Sequence, residues 1–185
     1  MSDYDYVIVG AGSAGCVLAE RLTADGRSSV LLLEAGPEDK SPFVHMPKGM
    51  AKLFGDPAQV WHIPTEESGD IPAETWVRGK MLGGSSSING MMYFRGHPED
   101  YNEWERLGAT GWGWDRIGPA FDAIENRAER GGDQPLRIST NRFKTPLTEA
   151  YIAAGTALGL PRVPDLNHAD QDGVLRRATD EGPHA

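Results

Sequence analysis

The chain has 185 residues, of which 39% are hydrophobic and 24% are charged, and its formal net charge at neutral pH is −9. This length and composition predict a globular protein with a hydrophobic core of its own. The acidic balance argues against nucleic acid and against an anionic membrane as partners, because both require a basic face.

The single cysteine leaves the compartment unconstrained but fits the reducing cytosol, and the apolar runs are short. Cys16 has no second cysteine to pair with, so an internal disulfide and cysteine-rich zinc sites are excluded. Asp3 and Asp5 stand where a signal peptide needs basic residues. The apolar runs at 7–9 and 30–33 are far too short to cross a bilayer. We therefore expect a cytoplasmic protein without a membrane-spanning segment.

The first 34 residues follow the pattern of a βαβ unit. Residues 4–9 form a β-rich run that ends at Gly10, and residues 30–33 form a second run that ends at Glu34. Between the two runs, apolar residues recur with a helical period, and Gly26 follows as a helix stop. Strand, turn, helix and strand within about thirty residues predict a Rossmann-like α/β fold.

The turn of this unit has the sequence GAGSAG at residues 10–15, which matches a dinucleotide-binding fingerprint. In that fingerprint Gly10 permits the tight turn, Gly12 lets the backbone approach a pyrophosphate, and Gly15 lets the helix pack on the strand. The helix N-terminus attracts the phosphates. Glu34 would accept hydrogen bonds from the adenosine ribose, and its charge disfavours a 2′-phosphate. These residues alone do not separate FAD from NAD, and a turn that only joins strand to helix is the structural alternative.

The predicted elements after the βαβ unit are shorter. Residues 37–71 predict extended loop with short helical turns, because prolines recur there at short intervals. A brief strand is predicted at Trp76 and Val77, and a glycine loop at 80–84 leads into a helical start at Ser85. The further predicted elements are helices at 100–107 and 114–130, a strand at 136–138, and a helix at 146–158 with an apolar stripe of Leu147, Tyr151, Ala154 and Leu158. Beyond Pro161 no element is predicted.

A second glycine-rich motif, RGKMLGGSSSINGMMYFRG, begins at Arg78. Gly83 and Gly84, followed by three serines, allow the backbone to lie flat against a planar ligand, and Lys80 could supply charge to a phosphate. A serine-capped helix start is the alternative that composition alone favours.

The residues of this motif, continued to Trp104, closely resemble the signature of the glucose–methanol–choline (GMC) oxidoreductase family, especially its choline-dehydrogenase-like bacterial members. The segments YVIVGAGSAGCVLAERL and LLLEAG resemble the FAD fingerprint of that family. VWHIPTEE at 60–67 and GWGWDRIGPAFDAIENRAE at 111–129 are similar to two further family segments. Two motifs at the family's separation are far more specific than either one alone.

The resemblance implies an FAD-binding domain of GMC type at 1–135, truncated and with loop-rich and helical extensions, and the start of a substrate domain with an irregular tail at 136–185. It assigns the following cofactor residues. The pyrophosphate would lie at Gly10, Gly12, Ser13 and Gly15, the ribose at Glu34, the length of the cofactor along Met81, Gly83, Gly84 and Ser85, and the flavin end at Asn89, Gly90, Met91 and Met92. Ile88 stands where some members link the flavin covalently through a histidine, so the resemblance implies non-covalent FAD.

The reaction implied by the resemblance is the oxidation of an alcohol to an aldehyde, with hydride transfer to the flavin. Family members are several hundred residues longer and carry their catalytic histidine near the C-terminus. None of His45, His62, His97, His168 and His184 matches that position, and no cluster has metal-ligand spacing. We therefore expect an N-terminal portion that is inactive alone, has no catalytic residue, and could be completed by a complementing C-terminal piece.

Two alternatives stay open beside this hypothesis. The chain could be a non-catalytic FAD-binding module or a vestigial fragment. An NAD-dependent Rossmann dehydrogenase is less favoured, because the second motif has no place in one. In each case two or three strands cannot cover both faces of a doubly wound sheet, so we expect an exposed sheet edge and uncovered apolar surface.

Overall fold

A computed structural model describes residues 3–46, 48–127, 134–140, 145–163, 165, 167 and 178–180. These residues form two compact units. The first unit runs to Gly90 and the second begins at Met91. We describe each unit by itself.

The first unit opens with the predicted βαβ arrangement. Strand β1 (Tyr6–Val9) lies parallel to strand β2 (Val30–Leu33), and helix α1 (Ser13–Thr23) connects them. Gly26, at φ +68°, adopts the left-handed conformation that favours glycine and closes the turn after the helix. The predicted strands, helix and parallel pairing are thus confirmed.

The rest of the first unit contains a helical turn, a hairpin and a 3₁₀ helix. Helix α2 (Met50–Leu53) precedes strands β3 (Val60–Pro64) and β4 (Thr75–Gly79), which pair antiparallel, and a 3₁₀ helix spans Gly84–Ser87. Strand β4 confirms the predicted strand at Trp76 and Val77. The core beneath these elements consists of Val44, Leu53, Val60, Met81 and Ile88.

The second unit contains three helices and a three-stranded sheet within its described residues. The helices are α3 (Pro98–Arg106), α4 (Trp114–Ile124) and α5 (Pro146–Ala157), and the strands are β5 (Glu125–Arg127), β6 (Leu136–Thr140) and β7 (Ala178–Asp180). Strand β6 is central, pairing parallel with β5 and antiparallel with β7.

Three details of the second unit differ from the sequence predictions. The helix predicted to reach residue 130 ends at Ile124, because Glu125 turns into a strand and its carboxylate binds a buried arginine. Helix α5 buries Ile152 and Gly155, whereas Leu147, Tyr151 and Leu158 of the predicted stripe are exposed. Strand β7 lies beyond Pro161, where no element was predicted, because a three-residue strand is defined by its partner and not by its own pattern.

One face of the β1–β2 sheet is largely uncovered by the residues that the structure describes. Val7 and Val9 are 57% and 84% exposed, and Leu33, which pairs with Val9, is exposed on the same face. Helix α1 packs on the opposite face, where a Cβ at Gly15 would lie 3.4 Å from Ile8 Cγ2. The expected uncovered apolar surface is therefore present in the described part of the first unit.

Candidate functional site

The turn between β1 and α1 has the geometry that a bound phosphate needs. Gly10 has φ +98°, a conformation that side chains rarely allow. A Cβ added to Gly15 would lie 1.9 Å from the Gly10 carbonyl oxygen, so only glycine permits the helix to approach the turn this closely. At Gly12 the backbone is extended and an added Cβ meets no atom within 4 Å, so its open side faces empty space.

The N-terminus of α1 opens directly from this turn. The Cys16 N–H donates the first helical hydrogen bond to the Gly12 carbonyl, at 2.9 Å. No side chain caps this end of the helix. The N–H groups of the first turn, including that of the exposed Ser13, have no partner within the helix and favour an anion. Cys16 itself donates its thiol to the Ala11 carbonyl at 3.3 Å, which is a local structural contact.

Glu34 connects the end of β2 to the glycine turn. Its Oε2 accepts a hydrogen bond from the Ala11 N–H at 2.8 Å, and its Oε1 accepts one from the Gly36 N–H at 2.9 Å. Each carboxylate oxygen has a second lone-pair direction, which can accept a hydrogen bond from a ligand hydroxyl. The carboxylate is thus fixed beside the turn, as the fingerprint requires.

The second glycine motif packs directly on the first. The Gly83 N–H donates to the Ala11 carbonyl at 2.8 Å, and Gly12 and Gly83 form an isolated parallel β-bridge. A Cβ on Gly84 would lie 2.9 Å from Gly12 Cα, so this contact also requires glycine. The two motifs, far apart in sequence, therefore form one continuous backbone surface.

A cavity of about 560 Å³ lies against this surface. Its lining consists of Val9, Gly10, Gly12, Leu33, Glu34, Ala35, Trp61, Gly79, Gly84 and Ser85. Five of the predicted cofactor residues are among them. Three further predicted residues lie outside the lining. Gly15 packs against the Gly10 carbonyl, Gly83 forms the β-bridge with Gly12, and Met81 is fully buried in the hydrophobic core.

Trp61 is the aromatic residue of the lining, and the sequence analysis did not assign it to the cofactor site. It lies on β3 and is 45% exposed, and the Lys80 Nζ lies 4.4 Å from the centre of its ring. The available signal was the aromatic residue of VWHIPTEE, which stands 17 positions before the second glycine motif begins at Arg78. Only the pairing of β3 with β4 brings it to the cavity.

The four residues predicted at the flavin end divide between the two units. Asn89 and Gly90 are exposed at the end of the first unit, whereas Met91 and Met92 begin the second. Met91 has φ +52°, an uncommon conformation for a residue with a side chain. Their predicted role at the flavin stays a prediction.

The described histidines all contact backbone atoms near them. The Nε2 atoms of His45 and His62 lie 3.0 Å and 2.8 Å from the carbonyls of Asp39 and Phe54. His97 Nδ1 accepts a hydrogen bond from the Glu99 N–H and caps helix α3. His168 and His184 lie outside the described residues.

The second unit contains a buried ion cluster that the sequence analysis missed. Arg95 donates through Nε and one Nη to the two carboxylate oxygens of Glu125, both at 2.5 Å, and the same Nη lies 2.7 Å from Asp122. The Tyr93 hydroxyl donates to Glu125 at 2.5 Å, and burial together with this carboxylate raises the pKa of the phenol. Despite burial, the two carboxylates raise the pKa of Arg95, so its charge is retained.

Among the described residues, no group of three or more His, Cys, Asp or Glu side chains is arranged to hold a metal ion. In the same part of the chain, none of the helices combines the length and the apolar character needed to cross a bilayer.

The site in the first unit fits the adenosine diphosphate half of FAD. Both Gly12 and Gly84 line the cavity. No protein atom occupies the position where Gly12 would carry a side chain, and the absence of a side chain on Gly84 allows its backbone to contact Gly12. The α1 N-terminus would face the phosphates, and the Glu34 carboxylate would face the ribose hydroxyls.

Comparison with known proteins identifies the family of this chain. The family described as GMC oxidoreductase matches residues 4–184. An oxygen-dependent choline dehydrogenase of Vibrio vulnificus is 46% identical over 179 residues, which are 92% of this chain and 32% of that protein. An alcohol dehydrogenase [acceptor] of Pseudomonas putida is 44% identical over the same length, with the same coverage. The chain therefore spans about a third of the length of these relatives.

Solved structures show the same likeness. The crystal structure of pyridoxine 4-oxidase from Mesorbium loti superposes with a TM-score of 0.88 at 39% identity, covering 96% of this chain and 36% of that one. A formate oxidase structure gives a TM-score of 0.81 at 28% identity, covering 95% of this chain and 34% of that one.

Proposed function

Because this chain belongs to the GMC oxidoreductase family, we propose that it provides the FAD-binding part of an oxidoreductase that acts on the CH–OH group of a small alcohol. The similar choline dehydrogenase and alcohol dehydrogenase described above are about three times as long as this chain. The complete reaction is therefore proposed for this chain together with a complementing C-terminal piece.

The observation that carries the proposal is the contact between the two glycine motifs. Gly12 and Gly84 meet without side chains, and their joint surface lines the same cavity as Glu34. A turn that merely connects β1 to α1 needs neither the open side at Gly12 nor a second glycine loop laid across it. A ligand with a diphosphate and a ribose accounts for both.

Different residues of the chain bind different parts of the cofactor. The α1 N-terminus and the glycine backbone hold the diphosphate, and Glu34 orients the adenosine through its ribose. When bound, the flavin supplies the hydride acceptor for oxidation of the alcohol carbon. The base that accepts the alcohol proton is expected from the complementing piece, because the described histidines are engaged with nearby backbone.

We propose that the FAD is held without a covalent bond. Ile88, at the position where some family members carry a linking histidine, is buried in the hydrophobic core and has no nucleophilic atom. Acid precipitation of the yellow protein tests this point, because non-covalent FAD enters the supernatant. Yellow colour that stays in the pellet would contradict it.

A non-catalytic FAD-binding module is the second candidate. The uncovered face of the β1–β2 sheet supports it, because a fold with exposed apolar surface lacks part of the packing that a complete FAD-binding domain would have. Anaerobic absorbance spectra separate the two functions. The purified chain should show flavin bands that an alcohol does not bleach. Adding the C-terminal two thirds of a GMC relative should restore alcohol-dependent bleaching if the chain can complete an oxidoreductase. A colourless protein, or one that binds only NAD, would remove both candidates.

We propose that the protein works in the reducing cytosol, which a chain with a single cysteine fits. It involves neither nucleic acid nor an anionic membrane surface, because the net charge of −9 opposes both.

A further inference from the structure

Trp61 presents a large aromatic ring to the cavity from a strand outside both glycine motifs. It is one of the cavity-lining residues, and 45% of its surface is exposed. Lys80 Nζ lies 4.4 Å from its ring centre, which restrains the indole through a cation–π contact. An indole that is restrained, open to a cavity and not packed in the core is suited to receive another planar ring.

Lys80 links Trp61 to the segment that follows Glu34. A Cβ on Gly36, two residues after Glu34, would lie 1.9 Å from the Lys80 carbonyl oxygen, so the segment that follows β2 packs directly on the Lys80 backbone. Lys80 in turn contacts Trp61. Trp61 therefore lines the cavity together with Glu34 and Ala35.

We infer that Trp61 stacks on the adenine ring of the bound nucleotide and that Lys80 holds the indole in place for this contact. The inference rests on the proposed function, because a dinucleotide with its diphosphate at Gly12 and its ribose at Glu34 extends its adenine toward Ala35. Stacking between a base and an aromatic side chain contributes enough affinity to change binding roughly ten- to hundredfold. The site would then select adenine nucleotides over a flavin mononucleotide, which lacks the base.

The chain offers a matched control on the same hairpin. Trp76, on β4, is 50% exposed and has its own cation, with Arg78 Cζ 4.8 Å from the ring centre. Trp76 pairs across the strands with Ile63 and is not among the residues that line the cavity. It therefore reproduces the exposure and the cation–π contact of Trp61 without access to the ligand.

The experiment measures binding of FAD, ADP and FMN by calorimetry and tryptophan fluorescence in the unchanged chain, Trp61→Ala, Trp61→Phe and Trp76→Ala. Trp61→Ala should weaken FAD and ADP binding roughly ten- to hundredfold. Trp61→Phe should retain most of the affinity, and Trp76→Ala should match the unchanged chain. FAD and ADP should quench the fluorescence of the unchanged chain and of Trp76→Ala, but much less that of Trp61→Phe.

The outcomes separate this inference from the function on which it rests. Equal FAD and ADP affinities in Trp61→Ala and Trp76→Ala would overturn the stacking role and leave the proposed function intact. Failure of the unchanged, folded chain to bind FAD or ADP would overturn both. Circular dichroism and thermal melting of each variant identify a loss of affinity caused by misfolding. If Trp61→Ala misfolds, ADP quenching decides the stacking role: quenching in Trp61→Phe equal to that of the unchanged chain would overturn it.

Discussion

Glu34 and Ala11 lie 23 positions apart in the sequence, yet Glu34 Oε2 accepts a hydrogen bond from the Ala11 N–H at 2.8 Å. Because Oε1 of the same carboxylate accepts from Gly36, one side chain fixes the glycine turn against the end of β2. The geometry of the turn that we propose to bind the diphosphate and the position of the carboxylate that we propose to bind the ribose are therefore set together.

Replacing Glu34 with alanine should weaken FAD binding by at least tenfold, because the ribose contact and the support of the Ala11 N–H are both lost. A hydrogen bond to a charged group contributes about 1.5–3 kcal/mol. Flavin fluorescence titration measures the change. Glu38→Ala removes a carboxylate that forms only an exposed ion pair with Lys40, and it should leave binding unaltered. Similar affinities in the two variants would contradict the role of Glu34.

Gly12→Val should abolish FAD retention with little change in folding. The added side chain meets no protein atom within 4 Å of its Cβ, so it fills the space proposed for the diphosphate. The ratio of flavin to protein absorbance and a thermal melt measure the two effects. Gly55→Val is the matched control, because Gly55 also has open space at its Cβ position and does not line the cavity. Retention of FAD by Gly12→Val would contradict the placement of the diphosphate.

The uncovered face of the β1–β2 sheet should make the isolated chain prone to aggregation. Val7, 57% exposed and outside the cavity, is the position to test. Val7→Thr keeps the branched side chain but adds a hydroxyl, so aggregation on heating should decrease while the free energy of unfolding changes by about 0.5 kcal/mol or less. Light scattering during differential scanning, with and without FAD, measures this. A sharp transition at high temperature that does not depend on FAD would argue against an incomplete fold.

Arg95→Met should destabilise the second unit by about 3–5 kcal/mol, because it removes the two charge-assisted hydrogen bonds that Arg95 donates to the buried carboxylate of Glu125. The double variant Arg95→Met/Glu125→Leu should recover part of this loss, since no buried charge remains. Arg106→Met, which breaks an exposed pair with Glu103, should cost about 1 kcal/mol or less. Urea denaturation of the four proteins measures these differences. Equal losses in the two single variants would show that the cluster is not stabilising.

Tyr93 should make the second unit sensitive to alkaline pH. Burial and the neighbouring Glu125 carboxylate raise the pKa of its phenol, so the folded chain keeps the proton at a pH where the unfolded chain releases it. Stability from this group is therefore full below the ordinary tyrosine pKa of about 10 and falls as the pH rises above it. Tyr93→Phe should flatten this decline in urea denaturation between neutral and alkaline pH. An unchanged slope would mean that Tyr93 ionises equally in both states.

Much of the glycine turn and its surroundings could be predicted from the sequence because the determinants are local. The β1–α1–β2 unit depends on two apolar runs, a helical period and glycines at fixed spacing, all within the first 34 residues. Glu34 follows β2 directly, so its place beside the turn results from the parallel register of the two strands. The roles of Gly10 and Gly15 follow equally from the sequence, since each concerns a neighbour within the same turn.

Contacts between distant segments were decided by the tertiary structure. The packing of Gly84 on Gly12 and the arrival of Trp61 at the cavity depend on how the β3–β4 hairpin folds back, which no periodicity in either segment encodes. The same holds for Arg95, whose partner Glu125 stands 30 positions later at the point where a predicted helix becomes a strand. A local sequence pattern determines backbone conformation through the steric preferences of neighbouring residues. The long-range contacts depend instead on which apolar surfaces can be buried and which charges can be paired in the same fold.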